Sequence, residues 1–283
     1  MEITAKMVMD LREKTGVGMM DCKKALKESE GDMEKAVEWL RKKGLSKAAK
    51  RADRATSSGV IGVFVSDDAK KVALVELNCE TDFVAKNDDF AATAQQFAQH
   101  VAQTGTTELE ALNAEKFAMD DSKTIGDTIA DTIAKIGESI KIGKVLLWSA
   151  DDANLLGYYV HTGASAVGLV EFTEVGGKDV AELGKFLGMH IVAARPAYFQ
   201  PADVPTEVLE KEKEIYRAEA LQSGKPEQVV DKIAEGKLNK FYQDNCLLKQ
   251  MYVKDPQGKT SVEKVLSENG VKLTRYARMS VGE

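Results

Sequence analysis

Val72–Asn78 reads VALVELN, and 95 positions later Val167–Thr173 reads VGLVEFT. Each is a strand-length apolar run, and the same offset aligns the text before it: Gly62 with Gly157, and Val65 with Val160. A hairpin with helices behind it fits both copies, and QFAQHVA and FLGMHIVA put His100 and His190 in similar helical settings. A repeat of this length implies two copies of one α+β unit. Further strand-length runs at Lys141–Trp148, Gln250–Lys254 and Val271–Met279 are expected to extend the sheets.

Inside the second copy lies a charged insertion. Pro205-Thr206 opens a helix to about Gln222, Ser223-Gly224-Lys225 turns it, and Pro226 suits the first position of a return helix. Val208 and Ile215 lie seven apart, with Val230, Ile233 and Lys237 expected on the facing side. So thin a seam predicts a protruding antiparallel helical hairpin. It reads either as a contact arm or as a surface excursion without a role.

Upstream, three short helices are expected: Ala5 to about Lys14 capped by Thr4, Met19 to about Glu28, and Met33 to about Lys43 capped by Asp32. Three helices in so short a span bury little core, and such modules more often bind than catalyse. Residues 1–55 carry net charge +4 and the remainder −10, which marks a boundary near Ala55. The expected organisation is therefore residues 1–55, a helical domain with a basic linker; 56–140, the first α+β repeat; and 141–283, the second, with the hairpin at about 204–245. Arg41–Arg54 holds seven basic residues and one acid. It reads either as a nucleic-acid or acidic-partner patch, or as a solvated linker face, since no aromatic interleaves the charges.

Composition narrows the chemistry. The 283 residues carry 39 Lys and Arg against 45 Asp and Glu, an acidic balance that disfavours general nucleic-acid binding. No apolar run reaches the length of a membrane span, and the opening residues lack a signal-peptide pattern, so a cytoplasmic protein is expected. His100, His161 and His190, like Cys22, Cys79 and Cys246, are scattered. That spacing predicts no disulfide framework and no metal site. There is no GxxxxGK[ST], Gly-x-Ser-x-Gly or His-Glu-x-x-His, so no cofactor and no enzyme activity are expected.

One corner is unusual. After VALVELNC comes Glu80-Thr81-Asp82-Phe83-Val84-Ala85-Lys86-Asn87, with a phenylalanine in what is normally a polar strand-to-helix connection. Phe83 either tucks under its loop or stands out as a wedge, and Met19-Met20 beside a glycine corner has the same two readings.

These motifs resemble bacterial translation elongation factor Ts, the family of nucleotide-exchange factors for elongation factor Tu. LREKTGVGMMDCKKAL (Leu11–Leu26) with GDMEKAVEWLRKKG (Gly31–Gly44) is similar to its small ubiquitin-associated-type domain. NCETDFVAKN (Asn78–Asn87) resembles its most specific signature, and AKIGESI, HTGASAVGLVEF and HIVAARPAYF follow in family order. The resemblance implies that Leu11, Arg12, Met19, Met20 and Lys23 meet the partner's G domain. It implies that Asp82 and Phe83 intrude near its magnesium and nucleotide site with Phe83 as the wedge, that Thr81 and Val84 also bind the partner, and that Ile136 and Gly137 are another part of that contact. His161, Tyr252 and Val253 would touch another domain of the partner, and Thr206–Asn245 resembles the family's coiled-coil protrusion.

The implied function is exchange of GDP on elongation factor Tu, bound in its GDP and nucleotide-free states, with no membrane or direct nucleic-acid contact. Self-association through the core or hairpin stays open, and the alternative is an RNA-binding protein using its basic segment. Two departures stand out. Thr162-Gly163-Ala164-Ser165-Ala166 lacks the basic residue usual after the histidine, and Val281-Gly282-Glu283 closes the chain without the C-terminal helical module of some members. A contact made by that module is therefore expected to be absent.

Overall fold

The computed structural model describes residues 2–51 and 54–283, but not the side chains of 45 and 47–51. The N-terminal bundle comprises α1 (Ala5–Thr15), α2 (Met19–Glu28) and α3 (Met33–Arg51). Thr4 Oγ1 accepts the Met7 N–H at 3.3 Å, and Asp32 Oδ1 accepts those of Glu34 and Lys35 at 3.0 Å each. Val8, Leu11, Cys22, Leu26 and Leu40 form its small core. The third helix runs well past its expected end near Lys43.

The body begins with strands β1 (Ser58–Val65) and β2 (Lys71–Cys79), a helical turn α4 (Asp82–Ala85), then α5 (Asp88–Thr104) and α6 (Leu109–Ala114). A small hairpin, β3 (Lys116–Phe117) with β4 (Asp120–Thr124), leads into α7 (Ile125–Ile136) and β5 (Ile140–Ser149). The second copy has β6 (Leu155–Val160), β7 (Ala166–Thr173) and α8 (Ala181–Ala194). Then come α9 (Thr206–Gln222), α10 (Glu227–Asn245), α11 (Val262–Asn269) and β8 (Lys272–Ser280).

Both main sheets are antiparallel and three-stranded, in the orders β1-β2-β5 and β6-β7-β8. Each repeat motif is thus a central strand, buried on both faces, which is why it reads as an almost unbroken apolar run. Ala73, Val75, Leu77 and Cys79 face the helices of the first copy, and Val170 and Phe172 those of the second. The alternate residues Val72 and Leu74 meet Val167 and Leu169 in a layer between the two sheets. The result is a helix–sheet–sheet–helix stack of the α+β class.

Three expectations need correction. The run at Lys141–Trp148, placed at the opening of the second copy, pairs with β2 and completes the first sheet. It fills the edge beside β2 as β8 fills the edge beside β7. The run at Gln250–Lys254 is not a strand; a single bridge joins Met251 to Ser261. Its backbone is used elsewhere, with the Val253 N–H donated to His190 Nδ1 at 3.2 Å. Helix α3, expected to end near Lys43, continues to Arg51 and packs on α7 at Gly44. A Cβ there would sit 3.3 Å from the Ala130 carbonyl oxygen and from Ala134 Cβ. That contact, with the Arg41–Asp127 ion pair, holds the bundle against the body.

The repeat extends to contacts. A Cβ on Gly62 would lie 1.9 Å from the Ala94 carbonyl oxygen of α5, and one on Gly157 2.5 Å from Gly184 Cα of α8. Each helix therefore closes on its strand through a bare backbone position. Both helical histidines are buried staples. His100 Nδ1 accepts the Ala118 N–H at 3.1 Å and its Nε2 meets Glu115 at 3.1 Å; His190 Nε2 meets Gln250 Oε1 at 2.9 Å. Glu76 and Glu171, the glutamates of the repeat, are also buried, one bonded to Asn78 and Gly282 and the other to Asn154 and Arg275.

The antiparallel pair α9–α10 carries the Arg217–Asp231 and Lys237–Glu219 ion pairs and buries only Ala220, Val230 and Ala234. Ile215, expected on the seam, faces outward. Tyr216 turns inward instead, with Lys237 Nζ 5.5 Å from its ring centroid. Its phenol is pushed up to about 12 by burial and by Glu212.

Candidate partner-binding surface

The site is built where β2 ends. Cys79 is the last buried residue of the strand, and its thiol donates to the Thr81 carbonyl at 3.1 Å. Burial, with the charge of Glu138 second, pushes that thiol up to about 11, so it stays protonated. Thr81 takes extended backbone and caps α4, accepting the Val84 N–H at 3.4 Å. Asn87 caps α5 by accepting the Phe90 N–H at 3.1 Å. Between the caps there is room for one helical turn only.

That turn sorts its side chains. Val84 and Ala85 pack on the first core, while Phe83 is 81% exposed. Asp82 bonds Lys86 at 2.9 Å, and this hydrogen bond holds its exposed carboxyl below the usual range. Of the two readings of Phe83, the structure places the ring outward.

Ile136 and Gly137 close α7 beside this turn. Gly137 adopts φ +89°, a left-handed cap that suits glycine, and Ile136 packs on the first core. The next residue, Glu138, joins the two segments. Its Oε2 accepts the N–H groups of Glu80 and Thr81 at 3.1 and 3.0 Å, and its Oε1 accepts the Thr81 hydroxyl at 2.6 Å. In return, Glu80 accepts the Ser139 N–H at 2.7 Å. Sequence reasoning passed over Glu138. A glycine stop followed by an acid is visible in the text, but its partner lies 57 residues away.

The N-terminal bundle borders the same region. Gly16, in the corner before Met19-Met20, lines a groove with Asn87, Thr132, Lys135 and Ile136. Arg12, Met19, Met20 and Lys23 are all exposed. Leu11 is a correction: it is 0% exposed and serves the bundle core, so its side chain has no surface to offer. Met9, on the same helix and not anticipated, is 62% exposed.

His161, Tyr252 and Val253 stand on other elements. His161 is exposed past the end of β6, with Nδ1 3.2 Å from the Tyr159 hydroxyl. Tyr252 lies against the ring of His190, and burial raises its phenol while burial lowers the His190 imidazole. The atypical turn Thr162–Ala164 has positive φ at Gly163 and Ala164, and Ala164 reaches the first core.

The basic run Arg41–Arg54 falls partly outside the described residues. Where it is described, Arg41, Lys42, Lys43 and Arg54 pair with Asp127, Glu38, Asp21 and Glu80. Cations paired this way are poorly placed to neutralise phosphates. Among the described residues no group of His, Cys, Asp and Glu could hold a metal ion, and no helix is long and apolar enough to cross a membrane.

What these elements define is a two-copy α+β protein with an N-terminal helical bundle. A duplicated scaffold displays an apolar ring on a clamped turn, and the N-terminal bundle exposes Met19 and Met20. Comparison with known proteins gives the family. Residues 80–283 match the family described as Elongation factor TS, and residues 1–48 match the N-terminal domain described as Elongation factor Ts, mitochondrial. Elongation factor Ts of Clostridium perfringens (strain SM101 / Type A) is 45% identical over 288 aligned positions, covering 99% of this chain and 93% of its own. That of Clostridium botulinum (strain ATCC 19397 / Type A) is 43% identical over 272, covering 96% and 88%. The chain belongs to the elongation factor Ts family.

Proposed function

We infer that this chain is a guanine nucleotide exchange factor for elongation factor Tu in the cytoplasm. It engages the GDP-bound partner and presses Asp82 and Phe83 toward its magnesium and nucleotide site, so that GDP leaves and GTP can bind. The observation that carries this is Phe83, 81% exposed on a turn fixed at both ends. No bond is made or broken in the step. A factor that binds a nucleotide-poor state weakens nucleotide binding by the same factor as nucleotide weakens its own binding. Loosening nucleotide about 1000-fold requires a coupling of roughly 4 kcal/mol. Burying one phenylalanine ring supplies about 1.5–3 kcal/mol of it. The remainder is assigned to the partner's disturbed magnesium coordination.

In this reading Arg12, Met19, Met20 and Lys23 anchor the same partner domain, alongside Ile136 and Gly137. His161, Tyr252 and Val253 hold a second one. The hairpin, with Ile215, Leu221 and Val229 exposed, is a further contact arm, and light scattering across concentration decides whether it joins two copies. Stopped-flow release of fluorescent GDP from elongation factor Tu, with wild type and Phe83→Ala at saturating concentration, tests the mechanism. Slower release with complex formation retained is expected; equal release rates would remove Phe83 from it.

A further inference from the structure

Phe83 can act as a wedge only if its turn resists being pushed back, and Phe83 itself, 81% exposed, has little packing to supply that resistance. The resistance comes from the junction of two chain segments. One is the end of β2, Glu80-Thr81; the other is the turn Glu138-Ser139 between α7 and β5. We propose that Glu138 is a positioning residue for nucleotide exchange, holding the Phe83 turn rigid through its three hydrogen bonds to Glu80 and Thr81. The proposal rests on the wedge reading of Phe83 given above.

The geometry favours Glu138 over other candidates for this role. Its two carboxylate oxygens take up two backbone N–H groups and one hydroxyl, all within the two residues before α4. Thr81 is thereby fixed twice, donating its hydroxyl to Glu138 while accepting the Val84 N–H that starts the turn. Hydrogen bonds to a charged acceptor are worth more than neutral ones, and a half-buried site shields them from competing water. The exchange is reciprocal, because the Glu80 carboxylate accepts the Ser139 N–H. Two carboxylates converging on one junction need a cation nearby, and the Arg54 guanidinium lies 3.3 Å from Glu80. Arg54 ends the linker from the N-terminal bundle, so the junction also receives the segment that joins the two domains. By contrast, the Asp82–Lys86 pair on the turn is exposed and contributes little rigidity.

The test uses four full-length variants, Glu138→Ala, Glu138→Gln, Phe83→Ala and the double variant Phe83→Ala/Glu138→Ala. Release of fluorescent GDP from elongation factor Tu is followed across factor concentrations. Glu138→Ala is expected to lower the maximal release rate roughly tenfold, a change of about 1.4 kcal/mol, with half-saturation little altered. Glu138→Gln retains one oxygen for the two N–H groups and an amide that can donate to the Thr81 hydroxyl, so it restores the rate. In the double variant the Glu138 change adds nothing to the Phe83 change, because one acts through the other.

An unchanged maximal rate in Glu138→Ala, or independent effects that multiply, overturns the positioning role while leaving the wedge reading in place. A normal rate in Phe83→Ala overturns the wedge reading, and the proposal falls with it. Should Glu138→Ala melt below the assay temperature, Glu138→Asp keeps the charge one carbon short of the N–H groups. It is expected to slow release at an unchanged melting temperature; a wild-type rate there also overturns the proposal.

Discussion

The two copies of the repeat share a frame and part company just after the central strand. In the first, β2 runs into Glu80-Thr81-Asp82-Phe83, a capped helical turn that turns an aromatic ring outward and is held by Glu138. In the second, β7 runs into Glu174-Val175-Gly176-Gly177-Lys178, where Val175 is buried and the glycines take positive φ. Counting along the repeat, Phe83 corresponds to Lys178, whose ammonium is spent on the carbonyls of Asn269 and Gly270. Strand order, helix placement, the glycine approach and the histidine staple are common to both. Duplication thus supplied the same frame twice, and in the proposed function the loop after one central strand is the working part.

The comparison breaks first at the shared frame. Gly62→Ala and Gly157→Ala are each expected to cost about 3 kcal/mol, because the added carbon first meets helix backbone, and at Gly157 also the buried Phe172 ring at 2.9 Å. Thermal melting of both variants checks this, and a loss in only one would show that the copies are held together differently. At the divergent loop, Phe83→Ala is expected to slow GDP release by roughly 10- to 100-fold, the span that corresponds to the ring's burial. Lys178→Ala at the matching position should leave release within about twofold of wild type. A comparable loss from Lys178→Ala would mean that both loops meet the nucleotide domain.

The staples sharpen the comparison through pH. Burial holds the His190 imidazole below its ordinary value, so the unfolded chain takes up that proton first as pH falls. This contribution is fully present above about pH 6.5 and is lost as acid is added, with a slope of at most about 1.4 kcal/mol per pH unit. Denaturant titrations at several pH values should show the loss in wild type and a flatter profile in His190→Gln; identical profiles would separate the staple from acid sensitivity. The smallest effect is expected from Met20→Ala, which weakens complex formation by about 1 kcal/mol without changing the maximal release rate. Titration of the complex measures it, and a lower maximal rate would move Met20 from anchoring to exchange.

Much of this was legible beforehand. The two central strands, the three N-terminal helices, the hairpin insertion and the oddness of Phe83 all follow from local pattern, since apolar period, caps and turn residues act over a few positions. What was misread depended on distant partners. The third helix reads as ending near Lys43 until α7 lies against it at Gly44, and the strand at Ile140–Ser149 could join either sheet by its text alone. Leu11 shares a motif with exposed neighbours, yet one helical turn sets it in the core.

The amino-acid sequence by itself determined the elements, their duplication and the near absence of reactive groups, because these depend on residue type and short-range spacing. The tertiary structure alone decided which way Phe83 points and what holds it there. A side chain's exposure depends on which surfaces close around it. The Glu138 contacts span 57 and 58 residues of chain, a separation at which no local pattern can foretell a hydrogen bond.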